Sequence, residues 1–165
     1  MAFEIRQFGD PVLKTPAIPV TQFDLYLKRL TEGMLETLRA GEDRMAIAAN
    51  QVGVLKRVFV AEVDDTVYVV VNPVIEEKTP ETETALEGCL SIPGIGVEVE
   101  RHSGVVVSGR DEEGRPVRYA VTGEIARMMQ HETDHLDGVL MLDRTDPESR
   151  KDAMRRWRER LLSMG

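Results

Sequence analysis

Helix-forming and strand-forming segments do not take turns along this chain. A helical period in the first quarter gives way to strand-like runs through the middle, and the last third returns to helix twice. Parallel strands need a crossover between each pair, so a doubly wound parallel sheet requires regular alternation of strand and helix. The observed order predicts an α+β fold instead. The 165 residues suit one such domain, spanning 1–165 with its C-terminal helix at 146–165.

Residues 8–20 hold Pro11, Pro16 and Pro19 without a helical period, which predicts an extended arm lying on the body. Thr21 is the expected cap of the first helix. Phe23, Leu27, Leu30, Met34 and Leu38 follow at three- and four-residue steps and share one face, and the helix should end near Gly41. Met45 to Gly53 is rich in small residues that permit close backbone approach. Arg57 to Val63 and Thr66 to Val71 read as strands, the second closed by Asn72-Pro73. Lys78 to Glu87 is polar and acidic and reads as a loop or irregular strand. Val105 to Ser108 and Val117 to Val121 flank Arg110–Arg115 as a hairpin. A helix then runs from Thr122-Gly123 to about Asp137, with Gly138 as its stop. Asp146-Pro147 opens the last helix as cap and first-turn proline, with Met154, Trp157, Leu161 and Leu162 expected to be buried.

The chain has one cysteine, Cys89, so no intramolecular disulfide forms and a reducing compartment is expected. The formal charge of -8 argues against a nucleic-acid backbone as the main partner. The N-terminus lacks the pattern of a secretory signal, and no apolar run approaches the roughly 18 to 20 residues of a membrane span. A cytoplasmic protein is expected.

His131-Glu-Thr-Asp-His135 matches HExxH on the segment read as helical. Residues four apart share a face, so both imidazoles can reach one ion while Glu132 addresses a water. The bland alternative is a surface helix with two solvated histidines. A catalytic site of this type needs a third protein ligand. An extended HExxHxxGxxH pattern would put it at position 141, where this chain has Met141. Glu148 and Glu159 belong to a terminal segment patterned for a charged surface. Cys89 remains; a buried small hydrophobe is the usual fate of an unpaired cysteine, but its tight Glu-Gly-Cys-Leu-Ser setting favours the ligand reading.

These residues resemble the peptide deformylase family. Glu87-Gly-Cys-Leu-Ser91 and His131-Glu-Thr-Asp-His135-Leu-Asp-Gly138 look like its second and third signatures, and Ile47-Ala-Ala-Asn-Gln-Val-Gly53 is similar to most of the first, GxGxAAxQ. The arm Phe8-Gly-Asp-Pro-Val-Leu13 resembles the family's start, so the likeness covers nearly the whole chain. The resemblance implies antiparallel strands packed around a central HExxH helix, with helices at both ends. It implies a divalent metal held by Cys89, His131 and His135 with water as fourth ligand: ferrous iron natively, with nickel, cobalt or zinc able to occupy purified samples. The implied reaction hydrolyses the formyl group of N-formylmethionyl peptides to formate and a free amine. Glu132 would move the proton, and Gln51 Nε2 and the Leu90 backbone N–H would stabilise the oxyanion, a contribution of about 3 kcal/mol per donor in related chemistry. Met45, Ala46, Gly88 and Met128 would wall the substrate site. A monomer is implied, with a transient ribosome contact through the C-terminal helix, whose six cations against four acids stand beside a remainder of net -10.

Three positions depart from the pattern. Arg44-Met45-Ala46 stands where the first signature has Gly-x-Gly; Arg44 would then either need a positive φ, hang over the cleft mouth, or point to solvent. Glu124 falls where relatives carry leucine, and either lies at the pocket rim or serves the start of its helix. Gly94-Ile95-Gly96 lacks the arginine or tyrosine with which many relatives contact the peptide. These departures motivate two alternatives: a hydrolase for another N-formylated or N-acylated substrate, and a metal-containing homologue without turnover.

Overall fold

Val58–Val63 (β2) and Thr66–Lys78 (β3) pair antiparallel across Asp64 and Asp65, which both take positive φ (48° and 65°), as a two-residue turn between right-twisted strands requires. The computed structural model describes residues 1–164 and builds outward from that hairpin. Ala46–Ala48 (β1) pairs with β2 on one side, while Gly104–Arg110 (β6) and Pro116–Thr122 (β7) extend the sheet beyond β3. The result is an antiparallel five-stranded sheet of order β1-β2-β3-β6-β7. Thr82–Gly88 (β4) and Gly96–His102 (β5) form a separate antiparallel hairpin inserted between β3 and β6.

Alternation along β2 divides the core. Val58 and Val60 face helix α1 (Leu25–Arg39) and join its Leu27, Leu30, Met34 and Leu38. Phe59 and Ala61 face the opposite way, toward Ala126, Met129 and Leu136 of α2 (Gly123–Leu136). Side chains on successive strand residues point to opposite faces, so a strand buried on both sides separates two helices. A third cluster seats α3 (Pro147–Met164) on the small hairpin through Ala153 and Trp157 against Val97, Val99 and Ile95. None of the helices is long and apolar enough to cross a membrane among the described residues.

The α+β architecture, the three helices and the β6–β7 hairpin agree with the sequence reading; several details do not. Asp24 caps α1, its Oδ1 accepting from the Leu27 N–H at 3.0 Å, and Thr21 lies outside the helix. Asn72-Pro73 does not close β3. The strand passes through it as a bulge, with a register shift between Val71 and Val74 and Asn72 at φ 53°, a place where a proline can sit without a lost ladder bond. The freed Asn72 side chain clamps the arm, accepting from Val20 N at 2.8 Å and donating to Val20 O at 2.9 Å. The polar run 78–87 is largely strand β4, paired with β5 over its whole length; Glu83 is exposed, while Glu87 is buried. Leu161 and Leu162 are exposed, since α3 runs past the end of the hairpin that covers Trp157. Asp146 does cap α3, accepting from Ser149 N at 2.8 Å.

Gly138 stops α2 at φ 74°, and a Cβ there would lie 2.7 Å from Lys14 O. Both the backbone turn and the close approach of the arm exclude a side chain at that position.

Candidate metal centre

Every residue of α2 from Met128 to Leu136 is buried, so its polar side chains must find partners inside the protein. Thr133 bonds back to Met129 O at 2.7 Å, and Gln130 exchanges bonds with both backbone groups of His102 at 3.1 and 2.9 Å. Asn50, on the turn after β1, donates to His135 O. These bonds hold the helix at a set rotation, and that rotation aims His131 and His135 at Cys89 in the turn after β4.

The donor atoms of Cys89, His131 and His135 all lie within 4.8 Å of one another. Cys89 Sγ is 3.4 Å from His135 Nε2, and the two Nε2 atoms are 3.1 Å apart. Glu87 Oε1 lies 2.8 Å from His131 Nδ1 and accepts its hydrogen bond, which in the neutral ring leaves the lone pair on His131 Nε2. Among the described residues His135 Nδ1 has no partner. Two buried ring nitrogens and a sulfur converging on one point lack an acceptor or donor that would satisfy all three. A cation would, and one sulfur with two imidazole nitrogens is a donor set suited to divalent first-row metals.

Glu132 lies beside this centre, 4.0 Å from His131 Nε2 at its nearest oxygen. Its Oε1 is buried without a partner among the described residues, and burial pushes its carboxyl up to about 7, opposed by His131. Burial lowers the His135 imidazole well below its ordinary value, and the neighbouring His131 and Arg101 add to that. Burial alone would lower His131 too, but its bonds to Cys89 and Glu87 hold it well above the usual range.

Glu87 stays ionised although buried, because bonds from His131 and Arg101 outweigh the cost of desolvation. Arg101 grips it with two bonds at 2.9 and 3.0 Å and reaches Asp134 at 2.5 Å. Arg127 adds a bond to Glu87 at 2.8 Å, and Arg144 holds Asp134 at 3.1 and 2.9 Å. Five charged side chains from β4, β5, α2 and the following loop thus support His131 from behind. The sequence reading assigned no role to Glu87, Arg101 or Asp134. The signal was present in the alternation of residues 97–101, where Arg101 falls on the inward side with Val97 and Val99.

Gln51 approaches from the turn Ala49–Val52, with Nε2 3.0 Å from Ser91 Oγ and 3.7 Å from Cys89 Sγ. Its Oε1 accepts from Ala48 N at 3.0 Å, which orients the amide so that its NH2 faces the centre. The N-terminal strap fastens both segments, Arg6 N donating to Gln51 O at 2.7 Å and Phe8 N to Ser91 O at 2.8 Å.

A cleft of about 870 Å³ opens over Cys89, His131 and Glu132, while His135 sits beneath its floor. Met45, Ala46, Gly88, Leu90 and Met128 all line it, together with Gln51. Arg44 does not have a positive φ; that conformation falls on Asp43, at 57°. Arg44 lines the cleft, and its guanidinium donates to Thr37 O at 2.7 Å, satisfying a terminal carbonyl of α1. Glu124 occupies the first turn of α2 and also lines the cleft. Gly94, with φ 79°, lies against the guanidinium of Arg160 from α3.

The family model for polypeptide deformylase matches residues 2–151. Peptide deformylase 1 of Corynebacterium glutamicum is 48% identical over 158 residues, spanning 92% of this chain and 91% of that one. The crystal structure of peptide deformylase from Thermotoga maritima superposes with a TM-score of 0.85 at 47% identity, covering 89% of this chain and 99% of that one. A peptide deformylase from Synechococcus elongatus, solved in complex with actinonin, gives 0.88 at 39% identity over 93% of this chain and 85% of that one.

Proposed function

The chain belongs to the polypeptide deformylase family, a family of metal-dependent hydrolases that remove the N-terminal formyl group from newly made peptides, and we propose that it does so at the Cys89–His131–His135 centre. The observation that carries this reading is the meeting of those three donor atoms within 4.8 Å at the floor of a cleft, beside a buried Glu132 oxygen that has no partner.

Cys89, His131 and His135 would hold one divalent ion, ferrous iron in this reading, since a single thiolate with two imidazoles suits that ion as well as nickel, cobalt or zinc. When bound, such an ion polarises the formyl oxygen and lowers the pKa of water. Glu132 accepts a proton from the attacking water through Oε1 and later delivers it to the departing amine nitrogen. The Gln51 NH2, oriented by Ala48 N, donates to the oxygen that gains charge, joined by the Leu90 backbone N–H. Glu87 keeps His131 in the tautomer that presents Nε2. Met45, Ala46, Gly88 and Met128 seat the methionine and its backbone.

The same reading treats the chain as one catalytic domain, monomeric and cytoplasmic. In α3, Arg150 pairs with Asp143, and Arg155 and Arg156 pair with Asp152. A contact with ribosomal RNA therefore falls mainly to Lys151, Arg158 and Arg160.

The test is formate release from a formyl-Met peptide after anaerobic loading with iron or nickel. Wild type should turn over, and Glu132→Gln should keep its metal while losing about 10²- to 10⁴-fold in kcat. Cys89→Ala should lose metal. Unchanged metal content in Cys89→Ala would overturn the ligand assignment.

A further inference from the structure

Ser91 is fully buried, and the reaction assigned to the cleft gives its hydroxyl no part. A hydroxyl taken out of water needs a hydrogen-bond partner. Among the described residues that partner is Gln51 Nε2, 3.0 Å from Ser91 Oγ, and Gln51 is buried as well. The two residues lie far apart in sequence, on the turn after β1 and the turn after β4. One strap fastens both, Arg6 N donating to Gln51 O at 2.7 Å and Phe8 N to Ser91 O at 2.8 Å. The tertiary structure therefore sets the distance between them.

A glutamine amide needs two restraints before one of its N–H groups points in a fixed direction. The bond from Ala48 N to Oε1, at 3.0 Å, decides which end faces the metal centre, because a turned amide would bring two donors together. That bond does not stop the amide plane from swinging about the oxygen. The Ser91 bond does. It takes up one of the two protons on Nε2 and leaves the other on the side of Cys89, whose Sγ lies 3.7 Å from Nε2. Ser91 also follows Leu90 directly, so the turn that carries the Leu90 N–H and the Cys89 sulfur carries the acceptor that aims the Gln51 amide.

We propose that Ser91 is a positioning residue: its Oγ fixes the plane of the Gln51 amide so that the second N–H meets the oxygen that gains charge, alongside the Leu90 N–H. The inference rests on the deformylase reading and goes beyond it, since Ser91 does not line the cleft and acts only through Gln51. The charge on that oxygen develops in the transition state, so a misaimed donor lowers kcat and leaves KM nearly unchanged.

Formate release from a formyl-Met-Ala-Ser peptide, counted per bound metal in nickel-loaded protein, tests this through a double-mutant cycle with Gln51→Leu. Ser91→Ala should lower kcat about five- to thirtyfold, a part of the roughly 10²- to 10³-fold lost with a whole oxyanion donor, with KM within about twofold of wild type. In Gln51→Leu protein the same substitution should change kcat by less than about twofold, because the amide it aims is gone. Ser91→Thr keeps the oxygen and should stay within about threefold of wild type in kcat. An unchanged kcat in Ser91→Ala, or an equal loss with and without Gln51, would overturn this inference and leave the deformylase reading intact. A loss in Ser91→Thr as large as in Ser91→Ala would do the same. No formate from wild type would overturn the deformylase reading and this inference with it.

Discussion

The charged side chains behind His131 and those along α3 form the same kinds of ion pair in opposite surroundings. Glu87, Arg101 and Asp134 are buried, and each is satisfied by at least two partners drawn from different elements. Arg155, Arg156, Asp152 and Glu159 pair along one helix in water. The buried set cannot exchange a lost partner for solvent, whereas the surface set can. Burial therefore makes the first group a rigid frame for His131 and leaves the second a solvated face whose helix is held by Trp157.

The largest effect should come from Arg101→Met. It takes from Glu87 and Asp134 the buried partner they share, leaving Glu87 to Arg127 and His131 and Asp134 to Arg144, and should lower stability by about 3–5 kcal/mol, read as a shift in urea midpoint on metal-loaded protein. A loss below about 1 kcal/mol would mean that water reaches these carboxylates and would collapse the distinction. Trp157→Ala removes the apolar anchor of α3 and should cost about 3 kcal/mol by the same measurement. If α3 were held by its ion pairs instead, that loss would be small.

Asp143 stands between the two extremes, its side chain partly covered and bonded to Lys14, to Leu140 N at 2.9 Å and to Arg150 at 2.9 Å. Partial burial would raise its carboxyl, but those partners hold it below its ordinary value. A carboxyl depressed in the folded state contributes stability that is complete above its unfolded pKa of about 3.9 and is lost as pH falls through the lower folded value. Asp143→Asn should therefore reduce stability at pH 7, with the gap to wild type closing below about pH 4. A gap independent of pH would assign the loss to packing. Smallest of all, Arg155→Ala should change stability by less than about 0.5 kcal/mol and become silent in high salt.

Much of this arrangement was legible in the chain. The four-residue spacing of His131 and His135, the stop at Gly138 and the turn around Cys89 are local patterns, and each sits in the element expected of it. Thr21 and Asn72-Pro73 misled because cap and strand end are decided by competition. Asp24, closer to the first turn, captured the Leu27 N–H, and the Asn72 side chain found both backbone groups of Val20, 52 residues away in sequence. Arg44 could not be placed from sequence, since its partner is the Thr37 carbonyl left free by the end of α1. Leu161 and Leu162 continue a helical apolar pattern beyond the surface available to cover it.

By itself the sequence determined which groups can do chemistry here: one thiol, two imidazoles on a common helix face and a carboxylate between them. It also determined the α+β class, through hydrophobic periods that are properties of neighbouring residues. Only the tertiary structure decided that Glu87, Arg101 and Asp134 back the histidines and that Gln51 and Ser91 are tied by the N-terminal strap. Periodicity is local and can be read along the chain. Burial, pairing and the gathering of charge depend on which segments meet, and that is set when the sheet and α2 close on each other.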